Sequence, residues 1–340
     1  MAAADTTPPE PTPPWFELLL ELRERRIAAI KELQNLRDSV VFVLWNLDEL
    51  KREDYFTLAD MLEDESPSKN VDLIVVSPGG SGEAGFRIGH AFQQWTERRS
   101  LSLRVIVPLY AKSAATILAL GAHQIVMGLH SEIGPIDPQI PTYDRARERW
   151  RYIPAMAVLD GLKLVSEFIE KIPEMSKFFE EIVKNERLTL EDLGLLERMR
   201  ESGKQYGESL LLGGMIKNKK TARETVERLS DYYKYHGHPI DAFEAEQELK
   251  LNVDHSHGAE WKVIRRLRDE FQEFVGKPDI IPGALVTTAV ETASLRQWRS
   301  VPLQQGQPIL LHQVSDERMA IRESWMSAGR MGGFAGTQRP

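Results

Sequence analysis

The sequence predicts an α/β protein built on parallel strands, and three observations carry that prediction. Short apolar, β-branched runs recur at residues 39–45, 71–76, 103–107 and 124–127. Stretches of helical periodicity separate them, so the order reads strand, helix, strand, helix, strand, which suits a parallel sheet with right-handed crossovers. Glycine or small residues stand where runs end and helices begin, at Ser77-Pro78-Gly79-Gly80 and Ala111-Lys112-Ser113-Ala114-Ala115-Thr116.

The elements follow in order. Residues 1–14, rich in Pro, Ala and Thr, read as a tail. Residues 15–38 form an N-terminal arm, with Leu19, Leu22, Ile27, Ile30, Leu33 and Leu36 at helical spacing over 15–37. Such a helix can pack on its own core or serve in self-association; its polar face mixes both signs, which disfavours a membrane surface. A buried strand at 39–45 precedes a helix at 54–64. Strand 71–76, the Gly-Gly turn and a helix at 82–98 come next. Strand 103–107 leads into a small-residue helix at about 112–121, and a short strand follows at 124–127. Residues 155–233 are charged and mostly helical, an insertion into a core that spans 39–255. A loop from His236, a short helix at 242–249 and a short strand close that core. Residues 256–340 read as a helical extension, with a helix at 259–275, and a tail from Met326.

Composition bounds the function. The chain has 340 residues, 42% of them hydrophobic and 28% charged, which describes a globular protein with one main domain and helical additions. A net charge of -8 argues against a large nucleic-acid surface. Without cysteine there is no disulfide, thiolate metal site or cysteine nucleophile. No segment approaches the roughly 20 apolar residues of a membrane span. The first residues lack the basic start and apolar run of a signal peptide, so a cytoplasmic location is the default expectation. No G-x-x-x-x-G-K-[ST] loop is present, so no Walker-type ATPase is expected.

The two small-residue segments point to acyl transfer. Serine catalysis needs an exposed hydroxyl and backbone N–H groups aimed at a developing oxyanion. Ser113, at a strand-to-helix junction, fits the nucleophile. Gly79, Gly80 and the N–H of Ala114 fit the oxyanion hole. The same residues also suit tight helix packing and a turn at positive φ, and the two roles are compatible.

Ser77-Pro78-Gly79-Gly80 resembles the oxyanion turn of the Clp protease proteolytic subunit. Tyr110-Ala111-Lys112-Ser113-Ala114-Ala115-Thr116, with Leu118-Ala119-Leu120-Gly121-Ala122, resembles the nucleophile segment of the serine dehydrogenase proteinase family, a relative of signal peptide peptidase A within the Clp/crotonase superfamily. Ser131-Glu132-Ile133-Gly134-Pro135-Ile136-Asp137-Pro138-Gln139 and Tyr235-His236-Gly237-His238-Pro239-Ile240-Asp241 are similar to it as well. The resemblance covers about 39–255. It implies a spiral of β-β-α units, self-association into a homo-oligomer, and hydrolysis of peptide bonds in peptides or unfolded chains without a cofactor, with an accessory partner conceivable.

The resemblance leaves the general base open. Where a Clp-type peptidase has histidine after the serine helix, this chain has Asp137; where it has aspartate, this chain has His236-Gly237-His238. The exchange suggests His238 as base with Asp137 orienting it; capping roles for both are the alternative. Lys163 is a second candidate base, as in signal peptide peptidase A, provided burial lowers its pKa. Lys112 adjoins the nucleophile but points about 100° away on a helix; it could add positive potential or face another subunit. Glu132 could face the cleft or solvent. His236-x-His238 and His255-x-His257 would share a face only within strands, so no metal is assigned. The basic run Arg145 to Tyr152 reads as a solvated linker. The expected function is a serine peptidase. A crotonase-like acyl-thioester hydrolase and a silent oligomeric scaffold are the alternatives.

Overall fold

The computed structural model describes residues 14–144, 147–186, 190–277, 284–302 and 309–311. The expected tail, Pro14 apart, lies outside the described residues, as do the tail from Met326 and two positions of the basic run, 145 and 146.

The chain runs α1 (Pro14–Arg37), β1 (Ser39–Asn46), α2 (Arg52–Glu65), β2 (Asn70–Val76), α3 (Gly82–Glu97), β3 (Leu103–Val107), β4 (Tyr110–Ala111), α4 (Ala114–Ala119), β5 (Gln124–Met127) and β6 (Glu132–Ile133). A hairpin follows, β7 (Gln139–Asp144) and β8 (Arg149–Pro154). Then come helices α5 (Ala155–Lys171), α6 (Ser176–Glu186), α7 (Leu190–Gly213), α8 (Lys219–Glu227) and α9 (Ala242–Gln247), β9 (Val253–His255), α10 (Gly258–Phe274), β10 (Ala284–Glu291), β11 (Arg296–Pro302) and β12 (Ile309–Leu311).

Among the described residues, eight strands form the main sheet in the order β12-β11-β10-β1-β2-β3-β5-β9. From β1 to β9 every neighbour is parallel. Both faces are covered, which is why these strands read as largely apolar runs, broken by Asp72 in β2 and Arg104 in β3. Alternate residues divide between the faces. Phe42, Leu44, Leu73, Val75 and Val105 pack with α2, α3, α4 and α7. Val41, Val43, Trp45, Ile74 and Ile106 pack under α1 and α10, where Trp45 stacks on Phe271 at 5.3 Å. Of the two roles open to α1, the structure gives it core packing: Ala29, Ile30 and Leu33 are fully buried. Arg26, also buried, reaches from α1 to the Glu291 carboxylate of β10 at 2.9 Å.

A second, smaller layer completes the spiral. β1, β2, β3 and β5 each run past the sheet into a short stretch that pairs with a neighbouring one, and the loop before α9 adds Ile240. Ser77 bridges Ala111, β4 pairs with β6, and Ile133 bridges Ile240. This layer holds the functional loops above the C-terminal ends of the parallel strands, where open α/β sheets bind ligands. The chain departs from expectation after α10. Instead of a helical extension, β10 returns antiparallel to β1, and β11 and β12 extend the sheet beyond it.

Candidate active site

The Ser113 turn follows from its anchors. After β3 the chain makes β4, whose Ala111 bridges Ser77; Lys112 N–H donates to Ser77 O at 3.0 Å. Helix α4 starts at the next residue but one, so the direction must reverse within Ser113. Its backbone sits at φ 52°, ψ -116°, a region that a residue with a Cβ adopts only when its surroundings force it. A strained strand-to-helix serine exposes its hydroxyl at the tip of the turn. Thr116 fastens the turn from below: its hydroxyl donates to Ala111 O at 2.7 Å and accepts from Gly134 N–H at 3.0 Å.

Gly79 and Gly80 meet this turn at φ 106° and 139°. A Cβ on Gly79 would lie 2.7 Å from Ser113 Cβ, so only glycine lets the two loops close. Gly80 bridges Leu50: Leu50 N–H donates to Gly79 O and Ser81 N–H donates to Leu50 O. In extended backbone, that leaves Gly80 N–H directed to the opposite side. Gly79 N–H donates to the buried Ser77 hydroxyl at 3.1 Å. Ala114 N–H belongs to the first turn of α4, whose leading donors have no partner within the helix.

A cleft of about 740 Å³ opens over these loops. Gly79, Gly80, Ser113 and Ala114 line it, together with Ile117, Ile136, Tyr206 and His236. Its rim carries Glu49, Tyr152, Leu195, Arg198 and Met199. Tyr152, from β8, donates to Glu49 across the mouth at 2.7 Å, and that bond to the carboxylate raises the phenol's pKa.

The histidine that joins the site is His236. Its Nδ1 lies 2.8 Å from the Asp137 carboxylate, which is almost wholly buried. His238, expected there, points elsewhere. Its ring stacks on Tyr233 at 4.6 Å, and its Nε2 is 3.6 Å from Glu244. The reason is local. His238 N–H donates to Tyr235 O, closing a turn in which positions 236 and 238 face different ways. Tyr233 in turn donates to Glu244 at 2.8 Å, and burial, then that bond, pushes its hydroxyl far above the ordinary range. Lys163 is exposed on α5 outside the cleft lining, without the burial a lysine base requires. Lys112 and Glu132 form an ion pair at 2.9 Å. His255 meets Glu246, and His257 meets the His255 carbonyl; among the described residues no cluster of three or more metal-ligating side chains occurs.

Sequence reasoning missed His236 as Asp137's partner, although the H-x-H pair contained it. It also missed the rim residues of β8 and α7, which carry no motif.

Residues 53–151 match the family model described as ClpP-like SDH-type serine proteinase. An uncharacterized protein of Methanocaldococcus jannaschii is 25% identical over 246 residues, spanning 69% of this chain and 75% of its own length. A second from that organism is 32% identical over 117 residues, spanning 34% of this chain and 39% of its own. Among solved structures, a mutant of the 1510-N membrane-bound stomatin-specific protease in complex with a substrate peptide aligns with a TM-score of 0.36 and 13% identity, covering 85% of this chain and 98% of that one. ClpP1 from Listeria monocytogenes aligns with a TM-score of 0.33 and 12% identity, covering 71% of this chain and 97% of the other. The matched segment, residues 53–151, holds the glycine turn, Ser113 and Asp137.

Proposed function

We propose that this chain is a serine peptidase that acts through an acyl-enzyme on Ser113. The observation that carries the reading is the convergence, on one cleft, of a strained serine, two N–H groups with no backbone partner among the described residues and a carboxylate-bound imidazole. The Asp137 carboxylate holds His236 Nδ1–H and leaves Nε2 as the basic nitrogen. His236 takes the Ser113 proton as the hydroxyl attacks the peptide carbonyl. Gly80 and Ala114 N–H groups stabilise the oxyanion, each donor contributing about 2.7–4 kcal/mol. The imidazolium then protonates the leaving amine, and water hydrolyses the ester by the same base. Ser113 Oγ and the imidazole share the cleft without a direct hydrogen bond, a contact that generally tightens as substrate binds.

The substrate is an extended peptide or unfolded segment, held along the Gly80 strand edge by main-chain hydrogen bonds. Self-association belongs to the proposal. Leu164 and Phe168 on α5, Phe178 on α6 and Ile172 between the two helices are about half exposed, an apolar surface suited to burial between copies. Among the described residues no helix is long and apolar enough to cross a membrane.

Ser113→Ala tests the reading. Hydrolysis of unfolded casein should fall to background while the circular dichroism spectrum stays that of the wild type. Retention of more than about a tenth of the rate, against the losses of about 10⁴ or more typical of nucleophile removal, would contradict it.

A further inference from the structure

Beyond the proposed catalytic groups, and resting on that reading, we infer that Lys112 is a positioning residue that locks the His236 turn onto the Ser113 loop. Its ammonium has three N–H donors and meets three acceptors: Glu132 Oε1 at 2.9 Å, Ile133 O at 3.1 Å and His238 O at 3.3 Å. The side chain is only 13% exposed. Its charge is therefore spent inside the fold, with Glu132 as counter-ion, and neither faces substrate nor lines the cleft.

What the three acceptors belong to gives the residue its role. Glu132 and Ile133 form β6, and Ile133 exchanges both backbone hydrogen bonds with Ile240, just beyond the histidine turn. The turn itself runs from Tyr235 O to His238 N–H, with His236 inside it. Lys112 grips the His238 carbonyl, so it fixes the C-terminal end of the turn whose other side presents His236 to the cleft. At its own backbone, Lys112 pairs with Ser77 and accepts from Ala115 N–H, and so belongs to the nucleophile loop. One residue thus ties the serine's loop to the histidine's turn, which the chain separates by more than a hundred positions. Gly134 makes the space: a Cβ there would lie 2.7 Å from Lys112 Cδ.

Two variants disturb this clamp by independent routes. Lys112→Met removes the charge and the donors. Gly134→Ala keeps both but presses on the lysine stem, at a position whose φ is not in the left-handed region. For each, kcat and KM on a peptide substrate are measured beside the thermal midpoint and the rate of fluorophosphonate labelling at Ser113. The inference expects both variants to lower kcat and labelling by about tenfold or more, a fraction of what a general base supplies, with KM within about threefold. Unchanged kcat in either folded variant would overturn it, as would a kcat loss matched by an equal rise in KM. If Lys112→Met does not fold, Gly134→Ala decides. The wild-type labelling reports separately on the nucleophile: its absence defeats the peptidase reading, whereas labelling that no variant slows defeats only the clamp.

Discussion

At the residue scale the site turns on which side chains face one another, and sequence shows that only partly. Ser113, Gly79 and Gly80 were legible because each occupies a junction with a backbone requirement: a reversal within one residue, or a positive φ. The base was not. His236 and His238 are two positions apart in a turn, and only the Tyr235–His238 closure decides which ring meets Asp137. Asp137 is buried with its carboxylate against His236 Nδ1, and in the proposed reaction it holds the tautomer and orientation of that ring. Asp137→Asn keeps the shape and one acceptor but removes the charge that stabilises an imidazolium. Its kcat for peptide hydrolysis should fall by about a hundredfold or more; a value within about twofold of wild type would deny Asp137 that role.

At the element scale, helices α3 and α4 approach closely at Ala114, whose N–H serves the proposed oxyanion hole. A Cβ on Gly85 would lie 2.1 Å from Ala114 O, so α3 offers α4 a flat backbone face there. Gly85→Ala should cost about 1–3 kcal/mol in denaturant unfolding, as overpacking generally does, and lower kcat together with stability. A neutral effect on both would show that this contact does not set the first turn of α4. The parallel strands and the helices between them were readable because strands buried on both faces leave continuous apolar runs. The two-residue strands β4 and β6 were not, since nothing in two residues has a period. Nor was the β7–β8 hairpin, whose Arg149 to Tyr152 stretch reads as a charged linker and whose pairing depends on contacts across a turn.

At the scale of the whole molecule, one sheet gathers segments from both ends of the chain. Strands β10 to β12 escaped sequence reading because the segments that flank them are rich in Pro, Gly and Gln, and because β1, the partner of β10, lies some 240 residues earlier. The buried Arg26–Glu291 pair spans that distance and joins α1 to β10. Arg26→Met takes the guanidinium away from a buried carboxylate and should destabilise the fold by about 3–5 kcal/mol. Adding Glu291→Leu should recover much of the loss, since the buried carboxylate is then gone. A denaturation curve that Arg26→Met leaves unmoved would show that α1 is an arm and not part of the core.

The same gathering builds the candidate site, with the glycine turn after β2, the serine after β4 and His236 after α8 meeting at one cleft, and Asp137 after β6 bound to His236. The most direct test compares the rate at which a fluorophosphonate forms its adduct on Ser113, mapped by peptide mass, in His236→Ala and His238→Ala. The account predicts a loss of about a hundredfold or more in the first, the scale of a general base, and a rate within about threefold of wild type in the second. Equal rates in the two variants, or an adduct on another serine, would contradict it.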